Sequence, residues 1–232
     1  MAIALRADAG WPRRPDRPLV VELAGLAGAG KSSIARALVE LDPEIRARPR
    51  VSWWRHATSV PPLVPTFVNL HWPFRGVLVK EMKRILRLRA LHRVAEETKD
   101  CHILLFDEGP VYMLARILVF GGEKIRTRAF QECWRRAIVR WAQTLSAIVW
   151  LEAPEHVLAA RLRTRSEHPF GDVGDQAVTA LFRAYRDAFA RVIAELTAAG
   201  GPQPWTVSTN RGSPALTAPE LLAGLRALRG AA

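Results

Sequence analysis

Leu19–Ser33 reads LVVELAGLAGAGKSS, and this stretch decides the fold. LVVELA is short and rich in residues that favour strands, and glycines follow it at once. From Ser32 onward Ile34, Leu38 and Leu41 recur at helical spacing, and Pro43 stands beyond the end. The order is therefore strand, glycine loop, helix. Within it, Gly25-Leu26-Ala27-Gly28-Ala29-Gly30-Lys31-Ser32 satisfies GxxxxGK[ST], the phosphate-binding P-loop pattern. Glycines allow a tight turn whose N–H groups converge on phosphate oxygens. The helix that follows presents its positive end to the same anion. The pattern assigns phosphate binding to Gly25, Gly28, Ala29, Gly30, Lys31, Ser32 and Ser33. Lys31 would reach the β- and γ-phosphates, and the Ser32 hydroxyl would hold Mg²⁺.

A P-loop needs an acidic partner for the metal at the end of a neighbouring strand. His102–Phe106 (HILLF) is a buried-type run that ends on Asp107, so Asp107 is read as a metal ligand and a catalytic residue. Glu108 follows it, and Pro110 suits a first helical turn. A third feature is Arg161, Arg163 and Arg165, at the end of a helix that follows the strand AIVWL. Arg161 and Arg165 share a helical face and are read as catalytic, neutralising a phosphoryl group in transfer. The glycine-bearing loop Ser166–Asp175 beyond them reads as mobile.

Strand and helix patterns alternate along the rest of the chain, which argues a parallel sheet covered on both faces. Val51–Trp54 and Trp205–Val207 read as strands. Val77–Val94, Thr127–Leu145, Glu155–Arg165, Val178–Leu196 and Pro219–Leu228 read as helices. His56–Phe74 is broken by prolines and reads as irregular. Its aromatic residues and the basic face that follows suit an apolar acceptor pocket beside a solvated helix. The same features leave peripheral membrane contact open.

At 232 residues the chain is long enough for one large α/β domain. Its two cysteines, Cys101 and Cys133, lack the spacing of a zinc site or a disulfide scaffold. The formal charge is +12, yet only five of the 34 basic residues are lysine. That balance fits arginines scattered by compositional bias, and the reading argues against nucleic acid as a partner. No segment has the form of a secretory signal, which places the chain in the cytoplasm by default.

GLAGAGKSS, the strand ending in Asp107, WLEAPEHVLAARLRTR and the arginine-led loop together resemble the P-loop nucleoside and nucleotide kinases, nearest to the thymidylate kinase group. The resemblance implies an α/β, three-layer sandwich with a mainly parallel five-stranded sheet and a lid. Residues 1–17 would form a flexible leader and residues 18–232 a single domain. Residues 51–100 would be a substrate-side insertion and residues 161–175 the lid. It implies ATP or GTP with Mg²⁺ as cofactors, a small-molecule acceptor as partner, and leaves a homodimer open. Where family members place an arginine after the acidic residue of the third strand, this chain has Glu108. The function expected is transfer of a γ-phosphoryl group to a small-molecule acceptor. The alternative is an ATP- or GTP-hydrolysing switch or accessory protein, because ILLFDE also suits a strand whose glutamate activates water.

Overall fold

The computed structural model describes residues 17–47, 78–164, 175–210 and 213–230. The leader 1–16, the Val51–Trp54 strand, the aromatic stretch 51–77, Arg165 and the loop 166–174 lie outside the described residues.

The described chain runs β1 (Leu19–Ala24), α1 (Lys31–Leu41), β2 (Ile45–Ala47), α2 (Leu78–Glu97), β3 (Ile103–Phe106) and α3 (Pro110–Phe120). A 3₁₀ turn (Gly122–Arg126) leads to α4 (Arg128–Ala142), β4 (Ala147–Glu152), α5 (Glu155–Arg163), α6 (Asp175–Ala198), β5 (Pro204–Ser208) and α7 (Pro214–Gly230). The strands form one sheet in the order β2-β3-β1-β4-β5, and all four pairings are parallel. Every residue of β1 and β3 is buried, as expected of strands covered on both sides. On one side α1 packs against α7; on the other α3 packs against α2 and α6, and α4 against α6. This is the three-layer α/β sandwich.

The second strand is Ile45–Ala47, a segment with no strand signal of its own. At three residues it is short, and it is held by pairing with β3 and by His102 N–H donating to Glu44 O at 2.9 Å. α7 begins at Pro214, one turn and more ahead of the predicted start, and runs through Pro219. Pro219 is the sixth residue of the helix, past the four N–H groups that have no intrahelical acceptor, so the helix forgoes one backbone hydrogen bond there.

α2 occupies the latter part of the stretch 51–100. Ile85, Leu88, Leu91 and Val94 point from it into the common core, so this part belongs to the domain's main body. Among the described residues no helix is long and apolar enough to cross a membrane. Cys101 and Cys133 are both half-buried.

Register places the functional ends together. Glu22 of β1 lies opposite Phe106 of β3, and Ala24 opposite Trp150 of β4. The loops after β1 and β3 therefore leave the sheet side by side at its carboxyl edge, where open α/β sheets bind ligands.

Candidate functional site

The loop between β1 and α1 takes the shape its glycines permit. Gly28 (φ +83°) and Gly30 (φ +88°) sit in the left-handed region. At Gly28 a β-carbon would come within 2.9 Å of Leu158 O, so glycine is needed there for space as well as for conformation. Gly30 caps α1 without a side-chain hydrogen bond, which leaves the first N–H groups of the helix to an outside acceptor. Ala29 is buried beneath the loop, and its N–H donates to Leu26 O at 3.2 Å. Lys31 Nζ donates to Gly25 O at 2.7 Å and Leu26 O at 3.0 Å, so its charge lies over the loop. Ser33 opens α1 with Lys31 and Ser32, in the turn where those N–H groups lie.

Ser32 Oγ donates to Asp107 Oδ2 at 3.1 Å. The hydroxyl belongs to the first turn of α1 and the carboxylate to the end of β3, 75 residues later. These two hard oxygen donors suit Mg²⁺, which takes few protein ligands and completes its octahedron with water and phosphate. Among the described residues no cluster of three or more His, Cys, Asp or Glu side chains offers an all-protein metal site.

Arg161 also comes to the loop. Its Nη1 donates to Gly28 O at 3.2 Å and its Nη2 to Thr209 O at 2.8 Å. The guanidinium thereby ties α5 both to the P-loop and to the exit of β5. Arg163 is exposed near the end of α5.

Two groups of residues were not singled out from sequence. The first is Glu22, a fully buried carboxyl in the central strand. Its Oε2 accepts from Val111 N–H at 2.8 Å and its Oε1 from Tyr112 N–H at 2.9 Å, capping α3 from across the sheet. Burial pushes its pKa up to about 8, against the hydrogen bonds of Val111, Tyr112 and Gly109 and the charge of Lys31, which pull it down. The signal was an acid in an otherwise apolar strand, since isolated carboxyls do not enter such places without partners. The second group lies on α3 and α6. A cavity of about 250 Å³ opens from Lys31, Ser32 and Asp107 toward Tyr112, Arg116 and Tyr185. Glu108 also lines it, while being largely exposed. Tyr112 and Tyr185 are parallel within 2°, with ring centroids 6.3 Å apart, and Phe189 lies 6.1 Å from Tyr185.

No family profile and no curated protein matches this sequence. Solved structures do match in shape. A deoxyadenosine kinase from M. mycoides with bound dATP is similar at 12% identity, with a TM-score of 0.53 over 90% of this chain and 100% of that one. A thymidylate kinase from Candida albicans is similar at 13% identity, with a TM-score of 0.51 over 93% of this chain and 92% of that one. The glycine loop after the central parallel strand, the acid on the strand beside it and these likenesses agree: the chain has the fold of the P-loop nucleoside and nucleotide kinases, in its thymidylate kinase-like form.

Proposed function

We propose that this protein is an ATP-dependent phosphotransferase, moving the γ-phosphoryl group to a small-molecule acceptor bound in the cavity beside the P-loop. The observation that carries this is the 3.1 Å hydrogen bond from Ser32 to Asp107, two residues that line that cavity. The loop N–H groups and Lys31 bind the β- and γ-phosphates. Lys31 exchanges two neutral carbonyl acceptors for charged phosphate oxygens, which are the stronger partners. Ser32 and Asp107 hold Mg²⁺, which when bound offsets charge on the phosphates. Arg161 braces the loop so that its donors stay aimed, and positioning is most of what phosphoryl transfer asks of a protein.

A hydrolysing switch is the second reading. Glu108 favours it, because an exposed carboxylate lining the cavity can orient water. Acceptor dependence separates the two: a transferase turns over ATP slowly alone and faster with its acceptor, whereas a hydrolase needs none. The test of the site is Lys31→Ala and Asp107→Asn, assayed for ATP affinity and ADP release. Each is expected to lower turnover by about a hundredfold or more, the scale on which one electrostatic donor acts. Wild-type turnover in both variants would refute the assignment.

A further inference from the structure

The cavity's far end differs in chemistry from its P-loop end. Arg116 stands on α3, six residues beyond Pro110, roughly 9 Å along the axis at α-helical rise. Its Nη1 donates to Tyr112 Oη at 3.2 Å, and its guanidinium carbon lies 5.8 Å from the centre of the Phe120 ring. A second guanidinium, that of Arg84 on α2, lies 5.9 Å from the same ring. Two cations thus share one aromatic neighbour. The Arg116 Nε is buried and has no hydrogen-bond partner. A buried donor left unmet costs about 1–3 kcal/mol, and a charged one more. Planar guanidinium groups meet carboxylates with two parallel hydrogen bonds. The walls between this end and the P-loop are apolar and aromatic: Tyr112, Tyr185, Phe189 and Phe182.

Asp107, at the end of β3, and the exposed Glu108 beside it also line the cavity. With Asp107 turned to Mg²⁺, an acceptor phosphate, itself a dianion, would still meet the repulsion of Glu108. A hydroxyl would instead find a base.

Resting on the phosphotransferase reading, we propose that the acceptor is a hydroxy acid with a flat or cyclic apolar body. Its hydroxyl faces Glu108, its body lies on Tyr112 and Tyr185, and its carboxylate pairs with Arg116. In the transfer step the hydroxyl oxygen forms a bond to the γ-phosphorus. The bond from that phosphorus to the β,γ-bridging oxygen breaks, and its electron pair leaves with ADP. The hydroxyl proton passes to the Glu108 carboxylate.

The test uses the full chain with Mg²⁺ and a non-hydrolysable ATP analogue, whose own affinity is measured first. Three probes of one shape are then titrated by calorimetry and ligand-observed NMR: 4-(hydroxymethyl)benzoate, its neutral amide, and 4-methylbenzyl phosphate. The benzoate is expected to bind at least tenfold tighter than the other two, and Arg116→Gln to remove that preference while analogue affinity stays. With ATP, the benzoate is expected to raise ADP release. If the analogue binds but the benzoate does not, or the phosphate or amide binds as well as it, the hydroxy-acid proposal is overturned and the kinase reading stands. If Arg116→Gln keeps the benzoate preference, Arg116 is not the anion's partner and the proposal is likewise overturned. If the analogue itself fails to bind, the phosphotransferase reading falls first, and this inference with it. The amide comparison needs only the wild-type chain, so the proposal stays refutable should the variant fold poorly.

Discussion

Glu22 is the residue whose environment departs most from what its type prefers. Both carboxyl oxygens accept N–H bonds from the start of α3, which favours the ion; complete burial favours the acid and is the larger influence. Its folded pKa of about 8 lies above its ordinary 4.5, so the folded protein holds a proton there that the unfolded chain releases. Stability from this group is full below pH 4.5 and is lost as pH rises toward about 8, at roughly 1.4 kcal/mol per unit. Glu22→Gln removes the titration. Denaturant midpoints from pH 5 to pH 9 are expected to fall with pH in the wild type and to run flatter in the variant. Parallel curves would show that burial does not govern this carboxyl. At Gly28 the expectation is steric: Gly28→Ala puts a methyl group 2.9 Å from Leu158 O on a backbone of positive φ. Nucleotide affinity is expected to drop before overall stability does, measured by titration and melting side by side.

Among the elements, α5 does more than end in a cationic turn. Through Arg161 it clamps the P-loop at Gly28 and the β5 exit at Thr209, while Arg163 stays exposed. Losing two charge-assisted hydrogen bonds costs about 1.5–3 kcal/mol each where they are dry, and less where water reaches. Arg161→Ala is therefore expected to weaken ATP binding about tenfold or more, with turnover falling alongside. An arginine acting only on the transition state would lower turnover and leave affinity intact. Separate measurements of affinity and single-turnover rate decide between them. α1 and α7 are joined in a comparable way: Arg226 donates to Asp42 Oδ2 at 2.8 Å, and Glu44 N–H to Oδ1 at 3.0 Å. Arg226 above all holds the Asp42 carboxyl below its usual 3.8. That contribution is present above pH 3.8 and is lost as pH falls through the lowered value. Asp42→Asn is expected to cost on the order of 1 kcal/mol at neutral pH, because Arg226 is largely exposed, and the difference should shrink in acid.

For the molecule as a whole, the site joins ends of β1, β3 and β5 with α1, α3, α5 and α6, so a ligand bound there braces the fold. Saturating Mg·ATP at a hundredfold over its Kd adds about 2.7 kcal/mol. For a chain of this size that is a rise of roughly 5–10 °C in Tm. A rise in wild type that Lys31→Ala reduces would tie the stabilisation to the P-loop; no rise in the wild type would count against nucleotide binding.

What the sequence determined by itself was local. GLAGAGKSS carries its loop geometry in its own glycines. HILLF and AIVWL are short continuous apolar runs that suit buried strands, and alternation with helices argued a parallel sheet. The meeting of Ser32 with Asp107 was legible because the P-loop pattern calls for an acid at a neighbouring strand end. Tertiary structure decided what depends on distant chain meeting in space. Ile45–Ala47 is a strand because β3 lies beside it, without any pattern in its three residues. Glu22 is a cap because β1 passes beneath the first turn of α3, 89 residues further on. Arg161 is a clamp because Gly28 O and Thr209 O, 133 and 48 residues away, converge on it. Tyr112 and Arg116 lie on one helix and Tyr185 on another, and packing α3 against α6 brought them to line one cavity. Periodicity records which side of an element is buried, but the neighbour that buries it is set by the packing of the whole chain.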